Sequence, residues 1–207
     1  MNFAREPRIH PVAIKALRPT QMTVGMREVN EKRARWRALP QDKRADFLGA
    51  HFIPIVLGPG EAPHLIDHHH LARALHEEGV KQVAVTMVAD LSGLEPDAFW
   101  FYLDNRNWTF LYDEQGERQT HKKLPTHVRD MVDDPYRSLA GELRRAGGFA
   151  KEVTPYNEFL WADFLRRRIK HKQADTHPEA ALQEALRLAK SDDTAYLPGW
   201  CGPVAPG

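Results

Sequence analysis

Apolar and polar positions alternate along the first half of the chain in the way that short strands and amphipathic helices require. Short apolar runs and alternating apolar positions predict strands at residues 9–17, 52–57, 64–66 and 80–89. Apolar side chains three and four positions apart predict helices at residues 26–39 and 68–78, the second one stopped by Gly79. Residues 18–20 and 58–60 are expected to be turns.

The second half has a helical pattern, in which capping residues followed by proline introduce amphipathic segments. The pairs Asp134-Pro135, Thr154-Pro155 and His177-Pro178 are typical of helix starts. Helices are expected at 99–103, 136–146, 156–170 and 179–190, with a hairpin tip between 110 and 120. We therefore expect a core at 1–95, a helical extension packed on it at 96–195, and a Pro/Gly-rich tail at 196–207. The tail is either extended and packed or disordered.

Composition narrows the class of protein. The chain has 207 residues with 29 Lys and Arg against 28 Asp and Glu. Because its net charge is close to zero, binding of nucleic acid through the overall charge of the protein is not expected. A hydrophobic content of 42% can fill a core, and a single cysteine, Cys201, excludes an internal disulfide or a Cys-rich zinc module. The apolar runs are too short to span a bilayer, and the N-terminus lacks a signal-peptide pattern. These features predict a soluble, cytoplasmic protein without a membrane partner.

The chemistry-bearing residues concentrate where a turn, a short strand, one acid and three histidines lead into the second helix. Asp67 is followed directly by His68, His69 and His70 at the predicted helix start. Backbone N–H groups and the positive end of the helix dipole favour phosphate at such a position. A carboxylate and imidazoles beside a phosphate can hold a divalent metal or move a proton.

Less specific interpretations of the same residues remain open. Asp67 can act as a helix cap alone, and the histidines can be solvated polar residues. A zinc site is less favoured, because adjacent histidines point in different directions and metal pairs usually need a spacing of three or four. On the helix itself, Arg73 lies with the polar face and Leu71 with the core.

Several strings together resemble the ParB/sulfiredoxin superfamily, and most closely its branch of ParB-like nucleases. They are Leu17-Arg-Pro-Thr-Gln21, Thr23-Val-Gly-Met-Arg-Glu-Val29 with Lys32, Pro54-Ile-Val-Leu-Gly-Pro-Gly60, Ile66-Asp-His-His-His-Leu-Ala-Arg-Ala-Leu75, Ala89-Asp-Leu-Ser92, Phe99-Trp100, Leu124-Pro125, Asp133-Asp-Pro-Tyr-Arg-Ser-Leu139 and Glu158-Phe-Leu-Trp-Ala-Asp-Phe-Leu-Arg166. The resemblance covers roughly residues 8 to 175. It implies an α+β fold, a ParB/sulfiredoxin-like core with a small mixed sheet followed by a helical C-terminal half.

The resemblance also implies a nucleotide or phosphate site at the strand-turn-helix motif. That motif binds CTP in ParB proteins, works with ATP around a cysteine in sulfiredoxins, and transfers a phosphoryl group to serine in free-serine kinases. Asp67-His68-His69-His70 takes its place here and is most similar to the kinase form, although the kinase glycine is missing. Sulfinic-acid reduction is not expected, because that reaction needs a thiolate and Cys201 lies far along the chain.

Residue roles follow from this resemblance as expectations. The amides of His68–His70 would cradle phosphate, while Asp67 would hold Mg²⁺ or accept a proton. Asp67, His68, His69 and Glu28 are the candidate catalytic residues, with Glu28 facing the helix start as a second acid-base group. The candidate residues for contacts to the nucleotide are Gly58, Gly60, His69, His70, Arg73, Arg18, Thr20 and Gln21.

Each of these further roles has a simpler alternative. Glu28 and Lys32 are spaced as an ordinary helical ion pair, and residues 18–20 can be a plain turn. Asp133 is a weaker candidate metal ligand, since its neighbour Asp134 is placed as a helix cap. The basic clusters at 32–37 and 166–170 can contact phosphates or simply be solvated helix faces.

Together these observations predict a nucleotide- or phosphate-binding protein with ATP, ADP or CTP as the candidate ligand. Its candidate reaction is Mg²⁺-dependent phosphoryl transfer or nuclease cleavage. The alternative is a non-catalytic DNA-binding or regulatory module, and a third interpretation is a former phosphate site that now serves protein interaction. The acceptor and the oligomeric state are left open.

Overall fold

The computed structural model describes residues 9–203, and its internal contacts divide the chain into two compact units. The first unit contains the described residues up to Val24 and Val29–Val132, and the second contains Gly25–Glu28 and the chain from Asp133 onward. Residues 96–132 therefore belong to the first unit, whereas the sequence analysis had assigned them to the helical extension. No helix among the described residues has the length and apolarity needed to cross a membrane.

The first unit holds most of the strands. Its elements are β1 (Ile9–Ala13), β2 (Arg18–Pro19), β3 (Thr23–Val24), most of α1 (Met26–Ala38), α2 (Arg44–Ala50), β4 (Ile53–Gly58), β5 (Ala62–Leu65), α3 (His69–Glu77), β6 (Gln82–Asp90) and α4 (Pro96–Asn105). The short β7 (Val132–Asp133) lies at the boundary, and the Val132 amide donates to the Met22 carbonyl next to β3. Helix α2 was not predicted, because it is only seven residues long and none of its residues is buried.

Five strands form one mixed sheet in the order β1-β6-β4-β5-β2, as the expected α+β core requires. Strand β4 runs antiparallel to β5 and parallel to β6, and Ile53, Ile55 and Val56 on β4 are buried. The expected turn at 18–20 instead begins as β2, which pairs in parallel with β5. Pro19 fits there because β2 is an edge strand, where a missing N–H donor is tolerated.

The second unit is helical and contains α5 (Pro135–Arg145), α6 (Asn157–Arg166), α7 (His171–Thr176) and α8 (Pro178–Ala189). The expected helix at 156–170 is shorter in the structure, because α6 ends at Arg166, and α7 is a separate short helix that the pattern did not predict. The Ile169 carbonyl accepts from the Tyr136 hydroxyl at 2.7 Å, so this carbonyl is directed at a side chain where the predicted helix ends. Asp134 caps α5 by accepting from the Tyr136 amide, as its position before a proline predicts.

The tail packs onto the core of the second unit as far as the structure describes it. Trp161 is fully buried, stacks on Phe149 with ring centroids 4.4 Å apart, and donates its indole N–H to the Pro198 carbonyl at 2.8 Å. The Ala150 amide donates to the Gly199 carbonyl at 2.7 Å. The extended, packed alternative therefore applies to this part, while residues 204–207 lie outside the described chain.

Candidate functional site

The loop between β5 and α3 places the acid and the three histidines in different environments. Asp67 and His68 are exposed, whereas His69 and His70 are buried as the first residues of α3. His68 has a left-handed backbone with a φ of 63°, so the helix begins one residue later than expected. This loop therefore presents one carboxylate and one imidazole to solvent and directs the other two imidazoles inward.

The Asp67 carboxylate organises the loop. Its Oδ1 accepts from the His68 amide at 2.6 Å, so of the three amides expected to cradle phosphate that of His68 is already engaged. Asp67 is not the helix cap, because the capping position belongs to His68, whose side chain makes no capping bond. The second oxygen, Oδ2, has no hydrogen bond to any residue that the structure describes.

The tautomer of His68 follows from its partner. Its Nδ1 lies 3.0 Å from the Phe52 carbonyl, and a carbonyl only accepts, so Nδ1 carries the proton. In the tautomer with the proton on Nδ1 the lone pair lies on Nε2, which can accept a proton. No sequence signal marks Phe52 for this role, because it acts through its backbone.

His69 has the opposite tautomer and a positioning role. Its Nε2 accepts from the Thr20 amide at 3.2 Å, which requires a neutral ring with the proton on Nδ1. Thr20 is buried, donates its hydroxyl to the Leu65 carbonyl at 2.9 Å, and accepts through its own carbonyl from the Phe110 amide. Thr20 and His69 thus fix the 18–21 loop beside the start of α3.

Arg73 and Gln21 are also held by protein groups. The Arg73 guanidinium donates to Glu77 at 2.8 Å and to the Met131 carbonyl at 2.8 Å, which ties α3 to the segment before β7. The Gln21 side chain donates to the Thr23 carbonyl at 2.9 Å. Both side chains therefore form hydrogen bonds within the first unit in this structure.

Gly58 is explained by packing. A Cβ added there would lie 2.7 Å from Phe99 Cζ and 2.8 Å from the His64 ring, so only glycine lets the end of β4 approach these rings. Burial lowers the pKa of His64 to about 4, and the charge of Arg18, its register partner on β2, acts in the same direction. Gly60 instead supplies a φ of 70°, the left-handed conformation that glycine adopts most easily.

Glu28 belongs to the second unit. Its Oε2 would lie 3.6 Å from a side-chain carbon added at Gly141, and its charge acts weakly against the arginines that lower the pKa of Glu158. Asp133, the weaker candidate metal ligand, accepts from the Met26 amide at 2.8 Å. The expected approach of Glu28 to Asp67 stays a prediction.

The residues of this loop are suited to bind Mg²⁺ only together with a phosphate ligand. No cluster of three or more His, Cys, Asp or Glu residues in the described chain could hold a metal by itself. Mg²⁺ usually keeps several waters and binds through one or two carboxylates together with substrate phosphates. Asp67, with one oxygen outside any hydrogen bond, meets that requirement.

The mixed sheet with its flanking helices is a ParB-like fold. The model of the family described as "Putative ParB-like nuclease" matches residues 10–167, and the chain belongs to this family. The solved structures include a similar one, protein Atu1540 from Agrobacterium tumefaciens, with a TM-score of 0.90 and 49% identity over 96% of this chain and 98% of that chain. No curated protein matches the sequence.

Proposed function

We propose that the chain binds a nucleotide or another phosphate ester at the loop between β5 and α3 and acts on it with Mg²⁺. The observation that carries this proposal is the division of the motif into exposed Asp67 and His68 and buried His69 and His70. The start of a nine-residue helix favours an anionic phosphate, and an exposed carboxylate and imidazole beside it can hold the accompanying Mg²⁺ or accept a proton. Membership of the ParB-like nuclease family supports the same chemistry.

In the proposed reaction Asp67 has one of two roles. It holds the Mg²⁺ that accompanies the phosphates, or it takes the proton of the attacking water or hydroxyl group. Bound Mg²⁺ would neutralise charge that develops on the transferred phosphoryl group. His68 Nε2 is the second proton acceptor, because its Nδ1 proton is committed to the Phe52 carbonyl. With an acceptor hydroxyl the reaction is phosphoryl transfer, and with water and a phosphodiester it is nuclease cleavage.

The other candidate binding residues fall into two groups, those that we assign to contact the nucleotide and those that position the contacting segment. Arg18, exposed on the edge strand, is the cation we assign to the nucleotide. Thr20, Gln21 and His69 position that segment through their own hydrogen bonds. Gly58 and Gly60 set the backbone, and His70, Arg73 and Glu28 keep their expected roles as candidates.

Calorimetric titration with ATP, ADP and CTP, each with Mg²⁺ and with EDTA, tests this function. Asp67→Asn and His68→Gln remove the proposed groups, and Asp42→Asn, an exposed acid without a described partner, is the matched control. We expect the Asp67 variant to lose roughly tenfold or more in affinity for the Mg²⁺ complex, as for a lost contact to a charged group. Absence of binding by the wild-type protein to all three nucleotides would contradict the proposal.

The alternative function, a non-catalytic DNA-binding or regulatory module, is supported by a cationic groove of the second unit, described next. The two functions differ in turnover. Release of ADP from ATP, or cleavage of a DNA substrate, that is lost in the Asp67 variant would favour the enzyme. Tight DNA binding without any turnover would favour the module.

A further inference from the structure

The two basic clusters of the sequence have different surroundings in the structure. In the first cluster, at 32–37, Arg33 donates to Glu78 at 2.8 Å and Arg37 donates to the same carboxylate at 2.8 Å. Hydrogen bonding from Arg37 lowers the pKa of Glu78, so that carboxylate stays ionised and binds both guanidinium groups. Two of the four cations of this cluster therefore share an acidic partner within the first unit.

The second cluster retains cations without acidic partners. Residues 166–172 contain five lysines and arginines and no acid. Arg166 pairs with Asp134 at 2.6 Å and Arg167 with Asp163 at 3.0 Å. Arg168, Lys170 and Lys172 are exposed and have no ion pair with any described residue. The chain as a whole carries a net charge of +1, so this segment is a local excess of positive charge.

Two of these cations, Arg168 and Lys170, border an open groove of the second unit with a volume of about 800 Å³. Arg168 and Lys170 contribute from the segment between α6 and α7, and Gln183 and Arg187 contribute from α8. The α8 residues that line the groove recur three and four positions apart, at 180, 183, 184 and 187, so they share one face of the helix. The opposite face of α8 is buried, with Ala181 and Ala185 fully inaccessible.

Two of the groove cations are held in place before any ligand arrives. The Arg187 guanidinium is bound by both oxygens of Glu184, at 2.6 and 2.9 Å. The Arg168 guanidinium lies over the Phe164 ring, 5.4 Å from its centroid. Three cations against one acid leave the lining with a net positive charge, and Gln173 and Gln183 add amide donors.

We infer that this groove docks the phosphodiester backbone of a nucleic-acid duplex. Its lining offers cations and amides, which are the groups that contact phosphate oxygens, and it contains no aromatic side chain on which an unpaired base could stack. Recognition is thus of the backbone and independent of base sequence. The inference does not rest on the proposed nucleotide site, which belongs to the first unit.

Fluorescence anisotropy with a labelled 20-base-pair DNA duplex over a series of salt concentrations tests the groove on the full chain. The variant carries Arg168→Gln, Lys170→Gln and Lys172→Gln, all at exposed positions. We expect the wild-type protein to bind at low salt and the variant to bind at least about tenfold more weakly. The slope of log affinity against log salt concentration should be shallower for the variant by about two to three, about one per lost phosphate contact. The single strand of the same sequence should bind more weakly than the duplex.

The control removes three exposed cations of the first unit, with Lys43→Gln, Lys122→Gln and Lys81→Gln, and therefore has the same net charge as the variant. It should keep the wild-type affinity and slope, and a second variant, Lys170→Arg, should do the same. Thermal unfolding of all proteins verifies that each is folded. The inference is wrong if the wild-type protein does not bind the duplex, if both triple variants lose affinity equally, or if the single strand binds more tightly.

Discussion

Two places in the two units of this chain handle charge in opposite ways. At the start of α3, in the first unit, Asp67 and His68 face solvent and His69 is neutral against a backbone amide. Inside the second unit, the carboxylates of Asp134 and Glu158 are each paired with an arginine. Ion pairs thus accompany the charges inside the helical unit, whereas the start of α3 keeps one carboxylate and one imidazole exposed.

The second unit shows this most clearly at two carboxylates. Burial raises the pKa of Asp134, although Arg166 opposes the effect by pairing with it at 2.6 Å. Burial also acts to raise the pKa of Glu158, but Arg137 and Arg144 outweigh it, so this pKa is lowered. Both carboxylates therefore depend on their arginine partners to remain ionised inside the unit.

The largest effect should come from breaking one of these pairs. Replacing Glu158 with alanine leaves Arg137, which is 8% exposed, without its carboxylate. We expect a loss of about 3–5 kcal/mol in the free energy of unfolding, the usual range for an orphaned buried charge. Urea unfolding measures it, and Glu152→Ala, at an exposed acid nearby in sequence, should change the stability by less than about 0.5 kcal/mol.

The next effect concerns His64 and depends on pH. Its pKa is about 4 in the folded protein against 6.5 for the free side chain, so the unfolded chain binds the extra proton between these values. Stability is therefore complete above pH 6.5 and falls as the pH drops to 4, by about 3 kcal/mol for this shift. The measurement is the difference in unfolding free energy between wild type and His64→Asn across this window, and a constant difference would contradict the buried, neutral ring.

A smaller effect is expected at Gly58. A Cβ there meets the rings of Phe99 and His64, so Gly58→Ala should destabilise the first unit by about 1–3 kcal/mol through overpacking. Gly49→Ala in α2 is the matched control, because no atom lies within 4 Å of its added Cβ and alanine favours a helix. Thermal unfolding should show a lowered Tm for the first variant only. Equal Tm values would remove the packing explanation for Gly58.

The smallest change in stability at a buried position should come from His69. Replacing it with alanine removes the acceptor of the Thr20 amide, at a cost of about 1–2 kcal/mol. Faster hydrogen exchange at the Thr20 amide, with unchanged exchange in α5, would sharpen the assignment of His69 as a positioning residue. Unchanged exchange at Thr20 would show that another group holds the 18–21 loop.

Long segments with a periodic apolar pattern were predictable from the sequence, whereas contacts between residues far apart in the sequence were not. Helices α1 and α5 and strands β4 and β6 follow their apolar patterns closely. The two-residue strand β2 has no pattern of its own, because it exists only through its partner β5. Residues 67–70 lie in sequence at the start of α3, and their role as a site stays a prediction. Their division into exposed and buried pairs depends on the left-handed backbone of His68, which no spacing rule indicates.

The central claim is that Asp67 serves phosphate chemistry rather than folding, and one titration tests it directly. ATP binding to wild type and Asp67→Asn is compared with Mg²⁺ and with EDTA, with turnover and unfolding of both proteins measured alongside. If Asp67 holds the metal, the variant binds Mg²⁺–ATP at least about tenfold more weakly, binds metal-free ATP equally or more tightly, and unfolds within about 0.5 kcal/mol of wild type. Equal binding of Mg²⁺–ATP and equal turnover by the two proteins, or a large loss of stability in the variant, would contradict the account.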